Sequence, residues 1–202
     1  MFEKKRIYPS VRHVELYHAS NLYLPTRTVY FGSTTDDEDE VTSNTVAETI
    51  KNLHILEHHS IEEPITLILN SCGGSWYDGM ALYDVIKSLQ AEVNIIGIGK
   101  IMSMGSIVMQ AGDNRITTNH STFLIHDGYD GFSGTPKSFE AWGDNSKITR
   151  KQTYQVYYDQ MVKINPNITI KEIEDMCSHD YVLSGKRAVE LGLADAIMEN
   201  TK

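Results

Sequence analysis

Two mainly apolar runs, residues 65–69 and 93–98, most constrain how this chain can fold. Each has strand length, and residues with helical spacing follow each of them. After the first run, Met80, Leu82, Val85, Ile86 and Leu89 mark a helix over residues 79–90. After the second, residues 103–110 read as a short apolar helix. A strand with no polar face must be covered on both sides, as in a parallel sheet with helical crossovers. The rest of the chain keeps this alternation. Strands are expected at 23–31, with Pro25 near the start, at 116–117, at 122–125 and at 194–198. Val46, Ile50, Leu53 and Leu56 predict a helix to about His58. Further helices are expected at 139–163, 170–177 and 186–191. Residues 127–136 hold three glycines and a proline and read as a loop. The expectation is an α/β fold with a largely parallel sheet.

A length of 202 residues fits one domain able to bury a core without staples. A net charge of -9 argues against a nucleic-acid binder, which needs a basic surface. Its acidic stretch, residues 36–40, reads as a solvated loop before a helix N-terminus. Two cysteines, Cys72 and Cys177, supply neither a disulfide framework nor metal spacing, and suit a reducing compartment. No apolar stretch follows the basic residues 1–6, so no signal peptide is expected. No apolar run approaches the roughly 20 residues of a membrane span.

Three constellations carry chemistry. Ser103 stands between the strand at 93–98 and the helix it opens, where a serine is either an ordinary N-cap or a presented nucleophile. A nucleophile needs a base and an orienter. His126, at the end of strand 122–125, and Asp180, before the last helix, are the candidates, although no spacing rule joins the three. His54-Ile-Leu-Glu-His58 places two histidines on one helix face and matches an inverted zinc-protease pattern. Its third ligand would come from Glu140 or Glu172, against the simpler reading of histidines suited to a helix C-terminus. Finally, Gly73-Gly74 follows a strand and precedes a helix, open to three readings: a tight turn, a phosphate loop, or a backbone N–H offered to an oxyanion. The phosphate-loop signatures G-K-[ST] and G-x-G-x-x-G are missing.

Taken in order, five blocks resemble the proteolytic subunit family of the Clp protease, ClpP. They are Asn70-Ser-Cys-Gly-Gly-Ser75 with Gly79-Met-Ala-Leu-Tyr-Asp84; Gly99-Lys-Ile-Met-Ser-Met-Gly105; Phe123-Leu-Ile-His126; Asp180-Tyr-Val-Leu-Ser184; and Ala188-Val-Glu-Leu-Gly-Leu-Ala-Asp195. The resemblance runs from about residue 22 to 198. It implies a ClpP/crotonase-type β-β-α superhelix with a protruding handle helix within 127–163. An axial segment at 1–21 and a tail at 199–202 flank it.

The resemblance further implies a serine endopeptidase acting on unfolded or extended polypeptide. Ser103 is then the nucleophile, His126 the base and Asp180 its orienter. The N–H groups of Gly74 and Met104 form the oxyanion hole. Gly73, Ser75, Asp127 and Gly128 bind substrate. No metal and no cofactor are expected. The implied assembly is a cytoplasmic homo-oligomer of two stacked heptameric rings, a tetradecamer, served by an AAA+ unfoldase, with no nucleic-acid or membrane partner. The chain departs from the family at Cys72, Ile101, Met102, Asp127, Gly128 and Tyr181, and its segment 9–27 is shorter than the family's axial region. Two other readings stand beside this one: a non-catalytic ring subunit, and a crotonase-fold acyl-CoA enzyme.

Overall fold

A computed structural model describes residues 10–32 and 40–199. In chain order the elements are α1 (Val11–Ser20), β1 (Leu22–Tyr23), β2 (Thr28–Phe31), β3 (Glu40–Val41), α2 (Ser43–His59), β4 (Ile65–Ser71), β5 (Gly73–Gly74) and α3 (Trp76–Ser88). They continue as β6 (Val93–Met102), α4 (Met104–Met109), β7 (Asn114–Thr117), β8 (Thr122–Ile125), α5 (Pro136–Met161), α6 (Ile170–Cys177), β9 (Tyr181–Ser184), α7 (Gly185–Glu190) and β10 (Ala196–Ile197).

Eight strands form one sheet, with β1, β2, β4, β6, β7 and β10 side by side. Pairing is parallel except for β1 with β2 and β8 with β9. The two apolar runs are its centre: Ile65, Leu67, Leu69, Val93 and Ile95 are fully buried. The expected mixed α/β architecture with a mainly parallel sheet is therefore found.

One strand positions the site. β6 is ten residues long and serves two neighbours in turn. Its first half, from Asn94, pairs with β7, and its end, from Lys100, pairs with β8. Between these, the register against β4 jumps. Leu69 faces Gly97 but Ser71 faces Ile101, so two steps on β4 (71 minus 69) oppose four on β6 (101 minus 97). Gly99 turns through φ +57 at this fork, and Asn70 fills the gap by accepting the Lys100 N–H on Oδ1 at 3.0 Å.

The structure corrects several sequence expectations. The strand expected at 23–31 is broken by a 3₁₀ turn at Leu24–Thr26, with Arg27 left-handed at φ 50. Pro25 lacks the N–H and fixes φ, so the chain folds back as a β1–β2 hairpin. Within the expected axial segment, α1 is a Ser10-capped helix with no buried residue, while residues 1–9 lie outside the described part. Of the acidic loop only Glu40 is described, and it pairs in β3. β9 and the small β3–β5 sheet are additions that no hydrophobic pattern marked.

Candidate active site

The three candidate residues come together through strand register. Met102 faces Leu124 across the parallel β6–β8 pair, and Ile125 faces Tyr181 across the antiparallel β8–β9 pair. Ser103 and His126 directly follow β6 and β8, and Asp180 directly precedes β9. Ser103 Oγ lies 2.8 Å from His126 Nε2, and His126 Nδ1 lies 3.0 Å from Asp180 Oδ1. The imidazole is shielded, its side chain 16% exposed, whereas the Asp180 carboxylate is 64% exposed.

Ser103 has φ 50 and ψ −125, a conformation L-residues avoid, and its side chain caps nothing. The N-cap reading is thereby overturned. The backbone around it is tied down: Ser103 N donates to Leu124 O at 2.8 Å, and Ser106 N donates to Ser103 O at 2.9 Å.

The two glycines divide their work. Gly73 is buried behind Ser103, with φ +105, and a Cβ there would meet Ser103 Cβ at 2.5 Å. It makes room for the serine. Gly74, at φ +142, is exposed, and a Cβ there would strike Val41 O at 2.5 Å. Pairing of β5 with β3 holds this loop, with Ser75 N donating to Val41 O at 2.8 Å and Gly73 N to Ser71 Oγ at 3.1 Å. Hydrogen bonds thus fix it where a proline would otherwise stiffen it. Cys72 also faces the cleft, its thiol pushed up by burial and by Glu40.

Ser103, His126, Gly74, Met104, Ser75, Asp127 and Gly128 all border one open cleft of about 540 Å³. Ser75 also caps α3 by accepting the Asp78 N–H. Gly128 has φ +77 and open space around it. The Asp127 carboxylate is already engaged: Oδ1 accepts from the Tyr154 hydroxyl at 2.7 Å, and Oδ2 lies 3.7 Å from Arg150. Its backbone N–H donates to Cys177 O at 2.8 Å. Burial first, then the Asp127 carboxylate, pushes the Tyr154 phenol up.

Sequence reasoning missed the aromatic wall. Tyr129 stands edge-on to His126, ring centroids 6.3 Å apart. Trp76 reaches over to α5, donating from Nε1 to Thr153 Oγ1 at 3.2 Å. The signal available was a set of aromatic residues in segments otherwise rich in glycine and charge. The histidine pair on α2 gathers nothing. His54 lies 3.9 Å from Glu57, and among the described residues no three His, Cys, Asp or Glu side chains converge on a metal position.

A serine, a histidine and a carboxylate hydrogen-bonded in series on an α/β sheet define the class: this is the arrangement used by Ser-His-Asp hydrolases. Within that class the chain belongs to the Clp protease family, whose model matches residues 15–201. It is similar to the ATP-dependent Clp protease proteolytic subunit of Deinococcus radiodurans, 29% identical over 89% of this chain and 83% of the relative. It is 28% identical to proteolytic subunit 2 of Thermobifida fusca, over 87% of this chain and 82% of the relative. It is 26% identical to proteolytic subunit 1 of Salinibacter ruber, over 96% and 79% respectively. No helix among the described residues is long and apolar enough to cross a membrane.

Proposed function

We propose that the chain is a serine endopeptidase that cleaves unfolded or extended polypeptides through an acyl-enzyme. The observation that carries this reading is the unbroken series from Ser103 Oγ through His126 to Asp180 Oδ1, with Ser103 and His126 bordering the cleft. His126 Nε2 takes the Ser103 proton as Oγ attacks the scissile carbonyl. The Oγ–C bond forms and the carbonyl oxygen becomes an oxyanion. The imidazolium then protonates the leaving amine, and the C–N bond breaks. Water repeats the sequence and releases the acid. Asp180 holds the Nδ1–H tautomer and balances the imidazolium charge.

The oxyanion is received by the N–H groups of Gly74 and Met104, the latter at the first residue of α4, where the helix dipole favours negative charge. Ser75 and Gly128 flank the substrate backbone, and the open surroundings of Gly128 leave room for an extended chain.

The relatives' names, which describe proteolytic subunits of ATP-dependent proteases, support placing the chain in a larger assembly. In this reading the chain adopts the family's β-β-α superhelix and packs into stacked heptameric rings. An AAA+ unfoldase in the cytoplasm feeds the enclosed chamber. The first half of α5 supports a handle that meshes with another ring, because Phe139, Trp142 and Ile148 lie exposed there.

Fluorophosphonate labelling of the full chain, combined with native mass measurement, tests this reading. Labelling confined to Ser103, lost in Ser103→Ala together with peptide hydrolysis, is expected. Undiminished hydrolysis by Ser103→Ala sinks it. Assembled rings that never label point instead to a non-catalytic subunit.

A further inference from the structure

Two tyrosines on α5 reach the candidate triad from behind without touching the cleft. Tyr157 is fully buried and Tyr154 nearly so, and neither borders the cleft. They are three residues apart, so they share one face of the helix. Each ends in a hydrogen bond toward a different triad member.

On the nucleophile side, the Tyr157 hydroxyl lies 2.7 Å from Ser106 Oγ. Ser106 Oγ donates its single proton to the Ser103 carbonyl at 2.7 Å. Tyr157 must therefore be the donor to Ser106, and the chain runs Tyr157 O–H to Ser106 O–H to the Ser103 carbonyl. On the base side, the Tyr154 hydroxyl donates to Asp127, the residue after His126. The same residue's N–H is fixed to the end of α6 through Cys177 O at 2.8 Å.

Resting on the triad reading above, we propose that Tyr154 and Tyr157 are positioning residues. They tie base and nucleophile to one rigid helix and so set the Ser103–His126 separation. The Asp127 carboxylate then serves His126 as an anchor, in place of the substrate contact expected from sequence. The geometry explains why both buried side chains carry hydroxyls. A phenylalanine would fill the same volume but would leave Asp127 and Ser106 short of a donor. It also explains how the bend at Ser103 is held from below, since the carbonyl that ends the relay belongs to the strained residue itself.

The test uses the full chain and a fluorophosphonate probe, with the labelling rate split into probe affinity and the maximal rate of bond formation. Tyr154→Phe and Tyr157→Phe each lower the maximal rate by about 10-fold, because small displacements of reacting groups act on rate. Probe affinity stays within about 2-fold, because neither tyrosine borders the cleft. Tyr154→Phe costs nothing further in an Asp127→Ala background, and Tyr157→Phe nothing further in Ser106→Ala. Asp127→Asn keeps an acceptor for Tyr154 and loses less than Asp127→Ala. Unchanged maximal rates, or losses that add in the paired variants, overturn the proposal. If either phenylalanine variant fails to melt cooperatively, Ser106→Ala and Asp127→Ala read the same two links, and full labelling rates in them overturn it. A wild-type chain that does not label, or a Ser103→Ala chain that does, removes the triad reading itself. A chain labelled at Ser103 but indifferent to the tyrosines removes only this proposal.

Discussion

Gly73→Ala is the sharpest perturbation of the site, because the added methyl has one dominant neighbour. A Cβ at Gly73 meets Ser103 Cβ at 2.5 Å, with Met102 O and Met104 N each at 3.0 Å. Carbon atoms rest about 3.5–4.0 Å apart, so one of the two must retreat by about 1 Å or more. Little can give. Gly73 is held to Ser71 Oγ and to β3, and Ser103 to Leu124 O. Overpacking of this kind costs about 1–3 kcal/mol. The φ of +105, tolerable for glycine, adds about 1–3 kcal/mol for alanine. Such a loss leaves a domain of this size folded when its stability lies in the upper part of the usual range. Moving the nucleophile by about 1 Å costs on the order of 100-fold in rate. Fluorophosphonate labelling of Gly73→Ala is therefore expected to slow about 100-fold, with a cooperative melt at lower temperature. Gly131→Ala, where a Cβ meets nothing within 4 Å, is the control and should match wild type in both readouts. Labelling of Gly73→Ala within about 3-fold of wild type would refute the packing argument and the role of Gly73 as a seat for Ser103.

Other consequences follow from the same geometry. Asp180→Asn should slow labelling on the order of 100-fold; a buried orienter costs about 10⁴-fold, but this carboxylate is 64% exposed and its field is screened. A loss of less than 3-fold would remove Asp180 from the triad. Burial, then Asp127, pushes the Cys177 thiol up to about 12 from the ordinary 9.0, so the folded chain keeps a proton that the unfolded chain releases. Stability is thus intact below pH 9 and falls with rising pH toward 12, by at most about 1.4 kcal/mol per pH unit from this group. Chemical denaturation between pH 9 and 10 should show a shallower decline for Cys177→Ala, and identical slopes would contradict the assignment. Arg115 donates to Asp195, Gln110 Oε1 and Gly192 O from a buried position, fastening β7 to the segment before β10. Arg115→Met should cost about 2–4 kcal/mol in urea unfolding, since it strands the buried Gln110 and Gly192 acceptors while Asp195, 44% exposed, turns to solvent. A cost under 1 kcal/mol would mean that solvent reaches them.

The layers of the fold were legible because they depend on burial, which composition records. The runs at β4 and β6 and the spacing Val46, Ile50, Leu53, Leu56 predicted sheet and crossovers, and β8 and α6 fell on their predicted residues. Register was not legible. Nothing in residues 181–184 says that β9 lies antiparallel to β8, yet that pairing carries Asp180 to His126. Nor does the pattern show that β6 changes partner at Gly99, the fork that sets Ser103 beside β8. The resemblance in the five blocks supplied what register withheld, because it compares whole arrangements and not local propensities. It gave Gly74 to the oxyanion and Gly73 to substrate; the structure sets Gly73 behind the serine and Gly74 at the cleft.

The conformation of Ser103 decides between a cap and a presented hydroxyl. Ser10, Thr42, Ser75, Thr135, Thr169 and Ser184 each stand before a helix with negative φ and accept the amide three residues on. Such a cap is worth about 0.5–2 kcal/mol. Ser103 occupies the equivalent place before α4, forgoes that bond, and takes φ 50 instead. A strained backbone of this kind costs about 1–3 kcal/mol and persists only where its surroundings over-determine it. Those surroundings can be named: Leu124 O on the Ser103 N–H, Ser106 on its carbonyl through both N–H and Oγ, and a glycine beneath its Cβ. Had Ser103 relaxed to the common cap, its hydroxyl would turn toward the Ser106 amide and away from His126 Nε2. The free energy forgone at this one residue holds the oxygen 2.8 Å from the imidazole, with the donors of α4 beside it. That expenditure has no structural return, which is why it marks Ser103, among the helix-opening hydroxyl residues, as the candidate nucleophile.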